Sequence, residues 1–441
     1  MKRILQFAVL FCVAAKVFFA RAESNITNFF AFKTVAMNGA IGNLTSSNGT
    51  FHLRNLAAND GIFFVYQPFS WNGQISARVR RPAQSHKVGV VFRQSTNASS
   101  PGAGTFLAAT NTIFERRLDD KRPPTTTIHT NEIFEWLRVV REGNAFSGFY
   151  SSDGTNWIQF SADSIEMPDE IFAGFAMAGA GEATIDEVRM TSAHLASPRE
   201  NSSYVAPTNV LLSADVASFG GGARRVEFFA DTKKIAGANA ASFLWNVLAG
   251  SNSVTAKVTD DAGAEFFTEP VNCEIKLPPA RATFVGIDEK TRGNWKGIYG
   301  KTGFLVVNDK TNFPGYIQLT PENALPFTWS NPTNQSALMR ADSTIRIASS
   351  WNHRHPISLN LSLANGSEQQ LALYFLDWDE KGRIMDVQIW NTSGEMLNRK
   401  SVYSFIEGTY LVWQIRGKVI IKIASLGGGN PIISGLFFDP K

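Results

Sequence analysis

Residues 136–157, WLRVVREGNAFSGFYSSDGTNW, constrain the fold most strongly because three strand-like runs are separated there by two tight turns. Glu142-Gly143-Asn144 and Ser152-Asp153-Gly154 supply the turns, since Gly tolerates positive φ and Asn and Asp side chains bond back to their own backbone. The Trp, Leu, Val, Phe and Tyr residues between the turns fit a pleated surface. The segment therefore predicts an antiparallel meander, and its sheet needs a second layer to cover the apolar face.

The composition indicates a globular chain with several domains. A length of 441 residues favours two or three domains, and 44% hydrophobic with 18% charged residues excludes a disordered chain. No convincing amphipathic helix is present. We therefore predict an all-β protein of three tandem β-sandwiches, at residues 24–193, 207–277 and 282–441, with a linker at 194–206.

Residues 1–22 have the pattern of a secretory signal peptide. Lys2 and Arg3 precede an apolar run, and Ala20-Arg21-Ala22 fits a small-x-small cleavage site. A membrane anchor is the alternative, but Lys16 interrupts the apolar run. We expect a secreted protein, in the periplasm, at the cell surface or outside the cell, with no membrane partner after cleavage.

The charge balance limits the classes of binding partner, and the cysteine content shows whether disulfide bonds can stabilise the domains. Four of the 42 basic residues lie in the signal segment, which leaves 38 basic against 38 acidic residues. This balance gives no basis for a nucleic-acid partner. Cys273 is the single cysteine outside the signal, so no internal disulfide is expected and the domains must be held by their cores.

The first unit, 24–193, contains regularly spaced strand-like runs such as FFVYQPFSWNGQISARV, KVGVVFRQS and ATIDEVRM. Together with the meander, these motifs resemble a bacterial domain of the concanavalin-like lectin/glucanase fold. The resemblance covers nearly all of the unit. It implies a twisted two-sheet jelly roll whose concave face often holds sugar.

The second and third units carry resemblances of their own. VEFFADTKKIA, the FLW strand and the VTDDAGA turn resemble bacterial immunoglobulin-like modules, which makes Trp245 the expected core tryptophan of residues 207–277. FVGIDEKTRGNWKGIYGKTGF, LALYFLDWDEKGR and YLVWQIRGKVIIKI resemble galactose-binding-like jelly-roll modules of secreted bacterial proteins. This resemblance spans essentially all of residues 282–441.

A hydrolase on the first fold would need an acid and a nucleophile on one face of one strand, about 5 Å apart in a retaining enzyme. The neighbours Asp186 and Glu187 point to opposite faces of a strand. Glu166 and Glu170 surround Pro168 in a predicted loop. No nucleophile elbow is present either. We therefore predict no catalytic residue and a protein that is not an enzyme.

Metal ligands are sparse in the sequence. His353 and His355 share one face of a strand, so zinc is conceivable, but no third ligand is identifiable. Asp260-Asp261 is consistent with calcium, although turn capping before Gly263 is favoured because calcium needs six or more oxygens. We expect no metal and no cofactor.

Saccharide binding requires an aromatic plane for the pyranose ring and polar groups for the hydroxyls, displayed on loops. Two loops of the third unit and one turn of the first unit meet this requirement. The alternative for Trp295 and Trp351 is that their rings plug the ends of the sandwich. The candidate carbohydrate-binding residues are Asp288, Asn294, Trp295, Tyr299, Trp351, His353 and Trp71.

A second surface is available on the first unit. Tyr66, Arg93, Glu115 and Arg116 would line a concave face if their strands lie centrally, the alternative being ordinary sheet surface. The sequence thus favours a secreted, non-catalytic protein that binds polysaccharide or cell-surface glycan, with linked sites adding avidity. The alternatives are a surface adhesion or structural scaffold without a sugar pocket, and a divergent glycan-active hydrolase or lyase.

Overall fold

The computed structural model describes residues 32–56, 61–80, 87–108, 110–130, 133–238, 242–333 and 336–441. The predicted signal peptide lies outside these ranges. Every regular element within them is a β-strand, so the all-β prediction is confirmed. The described residues include no helix long and apolar enough to cross a bilayer.

The first unit is a two-sheet sandwich. Its strands are β1 (Lys33–Met37), β2 (Gly42–Ser47), β3 (Thr50–Asn55), β4 (Ile62–Ser70), β5 (Asn72–Arg80), β6 (Lys87–Arg93), β7 (Gly102–Ala108), β8 (Asn111–Arg117), β9 (Thr125–Thr130), β10 (Trp136–Glu142), β11 (Ala145–Ser151), β12 (Ile158–Ser164), β13 (Glu170–Ala178) and β14 (Gly181–Ser197). A seven-stranded sheet has the order β1-β4-β13-β6-β7-β8-β9, and the facing sheet begins β12-β11-β10-β5-β14.

The core between these sheets follows from strand alternation. Val65 and Val90 of one sheet and Ile75 and Val139 of the other are fully buried in one apolar cluster. Residues of the opposite parity on the seven-stranded sheet, such as Val91, point away from this core into a smaller apolar cluster. The sheet therefore has an outer face that is partly apolar.

The predicted meander is present as β10, β11 and β12. β10 pairs with β11 from Trp136↔Ser151 to Glu142↔Ala145, so the first turn is the predicted one. In the second turn, Asp153 Oδ1 accepts the backbone N–H groups of Thr155 and Asn156, each at 2.8 Å. The side-chain-to-backbone bonding expected of a turn aspartate explains why the chain reverses there.

Strand β14 extends through two sandwiches. Its first part pairs with β3 and β5, and its second part pairs with β5 and with a strand of the middle unit. The segment 194–206, predicted as a linker, instead completes β14 at Ser197 and forms a further strand, Ser202–Val205. The polar composition of this segment conceals strands whose backbone pairs with strands of the middle unit.

The middle unit shares a sheet with the first. Its strands are β15 (Ser202–Val205), β16 (Thr208–Phe219), β17 (Ala223–Ala230), β18 (Lys233–Ala238), β19 (Ser242–Val247), β20 (Gly250–Asp260), β21 (Glu265–Phe267) and β22 (Val271–Lys276). β16 and β19 continue the sheet beyond β14, and together with β3, which pairs with β14, and β2, which pairs with β3, the sheet has nine strands. The facing sheet has the order β15-β22-β20-β17-β18. Trp245 is buried in the core between these sheets, as predicted.

The third unit is built from three sheets. Its strands are β23 (Arg281–Asp288), β24 (Gly303–Val306), β25 (Lys310–Asn312), β26 (Ile317–Glu322), β27 (Leu325–Thr333), β28 (Leu338–Met339), β29 (Arg346–Asn352), β30 (Ile357–Leu363), β31 (Gln369–Phe375), β32 (Ile384–Asn391), β33 (Met396–Val402), β34 (Thr409–Arg416), β35 (Lys418–Gly427), β36 (Ile432–Ile433) and β37 (Gly435–Pro440). Sheets β23-β34-β31-β37-β24-β25 and β26-β30-β35-β32-β33 enclose the main core, and β27-β29-β28 forms the third sheet.

Candidate functional site

The first predicted loop of the third unit is a plug rather than a binding platform. Trp295 is buried, and its ring N–H donates to the carbonyl of Met339 at 2.7 Å. The indole packs against Phe304 and Phe437, with ring centroids 4.8 and 5.0 Å away. No face of this ring is free for a saccharide, so the assignment of Trp295 as a stacking residue is wrong.

Tyr299 and its neighbours on this loop also make hydrogen bonds within the protein. The Tyr299 hydroxyl donates to Asp288 Oδ2 at 2.9 Å, and burial followed by this bond raises the pKa of the tyrosine. Asp288 Oδ1 accepts the backbone N–H groups of Lys290 and Thr291 at 2.8 and 3.0 Å. These bonds leave the buried Tyr299 unavailable as a ligand contact, which corrects its assignment.

The exposed member of this loop, Asn294, is not free either. Its Oδ1 accepts a hydrogen bond from Nη2 of Arg346, which lies on β29. The first loop is therefore tied to the strand that leads into the second loop. Its polar groups stabilise the end of the sandwich.

The second predicted loop of the third unit keeps one aromatic residue beside a cleft. Trp351 is half-buried and lines a shallow cleft of about 190 Å³ together with Asn308 and Lys310. His353 packs against His355, with ring centroids 5.3 Å apart, and its Nδ1 accepts the His355 backbone N–H at 3.1 Å. This bond occupies one of the imidazole nitrogens that a zinc site would use.

Trp71 is the most exposed of the predicted aromatic residues, at 36%. It occupies the turn between β4 and β5 with a φ of 69°. Its indole stacks on the imidazole of His194 at 3.9 Å between centroids. One face of the ring is therefore covered by β14.

The outer face of the seven-stranded sheet carries the most enclosed concave surface among the predicted sugar-competent regions. We call this cavity, of about 340 Å³, the outer groove. Arg93, Glu115 and Arg116, for which the sequence predicts a concave face only if their strands lie centrally, all line it. Tyr66 lies in the apolar cluster of the same face, stacked on Phe64 at 5.1 Å. The six residues of the groove used below are Lys87, Arg93, Phe106, Glu115, Arg116 and Arg117.

Strand register explains how these side chains meet. Arg93 of β6 lies opposite Gly102 of β7, which lies opposite Arg117 of β8. Residues opposite one another in a sheet share a face, so both guanidinium groups rise on the outer side with a glycine between them. Gly102 places no side chain between the two arginines, and a Cβ there would lie 3.3 Å from Arg93 Cγ.

A second row supplies the acidic and aromatic residues. Glu115 lies opposite Gly104, and a Cβ at Gly104 would be 2.5 Å from the Phe106 ring. The Phe106 ring therefore lies over this glycine and forms part of the groove floor. Lys87 Nζ is 5.1 Å from the centre of that ring and 2.5 Å from Glu115 Oε2.

The charges of the groove are unevenly paired. Lys87 pairs with Glu115, and Arg116 pairs with Asp163 of β12 at 2.5 Å. Arg93 is only 9% exposed, and burial, followed by repulsion from Arg117, lowers its pKa to about 10. Within the described ranges, no carboxylate lies within salt-bridge distance of Arg93 or Arg117.

The sequence pointed to part of this site and missed the rest. Lys87, Phe106 and Arg117 were not singled out. A usable signal was present, because KVGVVFR (87–93) is apolar except at its two cationic ends. A cation at the end of a buried strand must reach either solvent or a polar cavity.

The described lining of the outer groove does not bring two carboxylates together. Glu115 is the one carboxylate among its described lining residues. A neighbouring depression is lined by Asp119, Asp120 and Glu166. Hydrogen bonds from Arg122 lower the pKa of Asp119, opposite to the raised pKa that a general acid needs.

Asp186, a catalytic candidate in the sequence, and Asp260, a calcium candidate, both have structural roles. Asp186 pairs with Arg78 at 2.7 Å and with Arg80, and the hydrogen bond from Arg78 lowers its pKa despite burial. Asp260 accepts the N–H groups of Ala262 and Ala264, as expected of turn capping. The part of the chain that the structure describes holds no group of three or more His, Cys, Asp or Glu side chains suited to a metal ion.

One family matches part of the chain. Residues 192–263 match the family described as bacterial Ig domain. The match begins inside β14, two residues after Met190, where pairing with β16 begins. No curated protein matches the sequence.

The solved structures that this chain is similar to share little of its sequence. A functionally unknown protein from Saccharomyces cerevisiae is 17% identical, with 37% of this chain and 96% of that chain covered and a TM-score of 0.31. Fibronectin(III)-like modules of Clostridium thermocellum are 17% identical over 20% and 98%, with a TM-score of 0.19. A carbohydrate-binding module of Bacillus subtilis is 13% identical over 36% and 93%, with a TM-score of 0.28. Similarity of this degree leaves the function to the chemistry of the site.

Proposed function

We propose that this is an exported, non-catalytic carbohydrate-binding protein and that the outer groove of the first sandwich holds the saccharide. The observation that carries the proposal is a 340 Å³ concavity on the outer sheet face, lined by apolar and charged side chains together. Small-ligand sites combine an apolar lining with a few polar groups that fix orientation.

The rigidity of the groove supports binding without large rearrangement. Its walls include β6, β7 and β8, neighbours within one sheet, so the positions of Arg93 and Glu115 are set by strand register. Sites on such elements hold their geometry better than sites on loops.

The chemistry of the groove favours binding over cleavage. Glycoside hydrolysis generally uses two carboxylic groups with different protonation states. Glu115 is engaged by Lys87, and its neighbours in the groove are cations. We therefore propose binding without hydrolysis; sugar release by the purified protein would contradict this part.

Trp71 and Trp351 are proposed as accessory saccharide contacts. Trp71 has one indole face free of the His194 stack, and Trp351 borders the cleft beside Asn308. Each would add a weak contact outside the groove, which raises affinity for a long polymer through effective concentration. Trp71→Ala and Trp351→Ala should weaken retention by polysaccharide but leave the affinity for a short oligosaccharide unchanged.

A surface scaffold is the second candidate function. Two observations favour it: Trp295 and Tyr299 are buried, and β14 joins the first two sandwiches through one continuous sheet. Two sandwiches joined by a shared sheet are suited to displaying another domain at a cell surface. Such a protein would bind no glycan through the outer groove.

The test is a glycan array with a variant in which the groove is filled. Ala178 lies on β13 at the groove wall and is partly exposed, so Ala178→Trp should block the cavity with little loss of stability. Ala223→Trp is the matched control, because Ala223 is exposed on β17 of the middle unit. We expect Ala178→Trp to abolish binding and Ala223→Trp to retain it. Equal binding by both folded variants would remove the groove as the site, and no binding by the parent protein would favour the scaffold.

Export is proposed from the sequence pattern of residues 1–22. Expression of the full chain in a bacterial host, followed by N-terminal sequencing of the protein outside the cytoplasm, tests it. We expect the mature chain to begin at Glu23. An uncleaved protein that remains in the cytoplasm would contradict export.

A further inference from the structure

The outer groove contains a buried cation without a counter-ion. Arg93 is more than nine-tenths buried, and its Nη2 donates to the carbonyls of Asn97 and Ala98 at 2.6 and 3.1 Å. Its buried Nε has no hydrogen-bond partner. The guanidinium is thus only partly satisfied by the protein.

The surroundings of Arg93 add to the positive charge. Arg117 stands one strand beyond Gly102 on the same face, and its Nη1 donates to the Arg122 carbonyl at 2.8 Å rather than to a carboxylate. Glu115 is engaged by Lys87 at 2.5 Å. A buried charge costs folding free energy unless it is paired and hydrogen-bonded, so an arginine in this state is suited to an incoming anion.

We infer that the saccharide held in the outer groove carries an acidic group, a carboxylate or a sulfate ester, which binds between Arg93 and Arg117 above Gly102. This inference rests on the proposed function and names the class of its ligand. β6 and β8 are two strand spacings apart, so their side chains start about 10 Å from each other. An acidic group that both arginines contact from opposite sides can bridge this distance. Guanidinium groups match the planar oxygens of such groups with two parallel hydrogen bonds.

The first experiment compares polymers that differ only in charge. Affinity electrophoresis of the full mature chain is run in polygalacturonate and in its fully methyl-esterified form, and in dextran sulfate and in dextran. The first pair tests a carboxylate and the second a sulfate ester. We expect retention by one or both acidic polymers, no retention by the neutral partners, and weaker retention at higher salt.

The second experiment assigns the charge recognition to the groove. Arg117→Ala removes a half-buried arginine and Arg93→Gln a buried one, and each should weaken binding of the acidic polymer on the order of tenfold, as expected for a lost charge-assisted hydrogen bond. Arg54→Ala is the matched control, since Arg54 is exposed on β3 of the other sheet. If Arg93→Gln does not fold, Arg117→Ala and the salt dependence still decide the result.

The outcomes separate the inference from the proposed function. Equal retention by charged and neutral partners overturns the acidic ligand but leaves carbohydrate binding in place. The assignment to these two arginines is overturned if Arg117→Ala and Arg93→Gln leave the acid-specific retention unchanged. It is also overturned if Arg54→Ala weakens that retention as much as they do. Absence of binding to any glycan on the array overturns the proposed function itself.

Discussion

The side-chain amide of Gln74 on β5 donates a 2.8 Å hydrogen bond to the carboxylate of Asp260 at the end of β20. The bond joins the first sandwich to the middle one, and both residues are buried. Asp260 Oδ1 also accepts the N–H groups of Ala262 and Ala264 at 2.9 and 2.8 Å. A residue that closes its own turn therefore also fixes the position of the neighbouring domain.

Two substitutions of Asp260 should differ sharply in cost. Asp260→Ala leaves two turn N–H groups and the Gln74 amide without a partner, and should lower the free energy of unfolding by about 3 kcal/mol. In Asp260→Asn the carbonyl oxygen still accepts the turn N–H groups. Gln74 Oε1 has no partner in the parent protein, so a rotated Gln74 amide can accept from the new amide nitrogen. This variant should lose only about 1 kcal/mol. Urea denaturation measures the free energy of unfolding of both variants. Equal losses in Asp260→Ala and Asp260→Asn would contradict the stabilising role of the Gln74–Asp260 hydrogen bond.

The continuous sheet predicts coupled unfolding of the first and middle sandwiches. Ala193 is fully buried and lies between Asn72 of β5 and Val216 of β16. Ala193→Pro should destabilise both sandwiches together, on the order of 3 kcal/mol, because proline cannot donate to the ladder of a central strand. Hydrogen exchange should rise in parallel in β7 and in β20. Ser47→Pro, at the end of the edge strand β2, is the control and should leave hydrogen exchange in β20 unchanged. If Ala193→Pro speeds exchange in only one of the two sandwiches, the first and middle sandwiches unfold independently.

Substitutions of Trp295 test whether its indole fills the end of the sandwich or binds saccharide. Trp295→Ala removes a buried indole and should cost about 3–5 kcal/mol, whereas Trp295→Phe should lose mainly the bond to Met339, about 1 kcal/mol. Neither variant should alter glycan binding once folded. A stable Trp295→Ala protein that no longer binds glycan would restore the original assignment.

The sequence was most informative where local chemistry decides the structure. The meander was predictable because Asp153 and Gly154 specify their turn, and alternating apolar runs specify the two-sheet core. The sharing of β14 was not predictable. A strand that pairs with a second sandwich from Met190 onward looks the same in sequence as a strand that ends there, since its pairing partners are distant residues.

The candidate site was harder to predict, because exposure depends on tertiary packing. Trp295 and Trp351 occur in similar polar loops, yet one is buried under Phe437 and the other borders a cleft. Arg93 and Arg117 are 24 positions apart, and only the β6-β7-β8 register places them on one face. An aromatic residue in a polar loop therefore does not by itself indicate exposure, whereas a cation at the end of a buried strand does indicate a polar cavity or solvent.

The third unit should become less stable in acid, below about pH 4. Asp379 is bonded by Arg383 and by Lys381, and the Arg383 hydrogen bond, followed by these neighbouring charges, lowers its pKa from 3.8 to about 2 despite burial. A carboxyl whose pKa is depressed on folding contributes stability above its ordinary pKa and loses it as pH falls toward the folded value. Urea midpoints followed by tryptophan fluorescence should therefore fall between about pH 4 and pH 2. Asp379→Asn should flatten this part of the profile, and an unchanged slope would contradict the assignment.

Glu115 distinguishes an anion-binding groove from a catalytic one. Glu115→Gln removes a negative charge from the groove but keeps an acceptor for Lys87, whose Nζ lies 2.5 Å from the carboxylate. Binding of the acidic polymer should strengthen, roughly threefold, because one repulsive charge is lost in a partly solvated site. Glu182→Gln is the matched control, since Glu182 pairs with Arg54 on the other sheet at 3.3 Å and should leave binding unchanged. If Glu115 were instead a general acid, the parent protein would release sugar and Glu115→Gln would abolish that release.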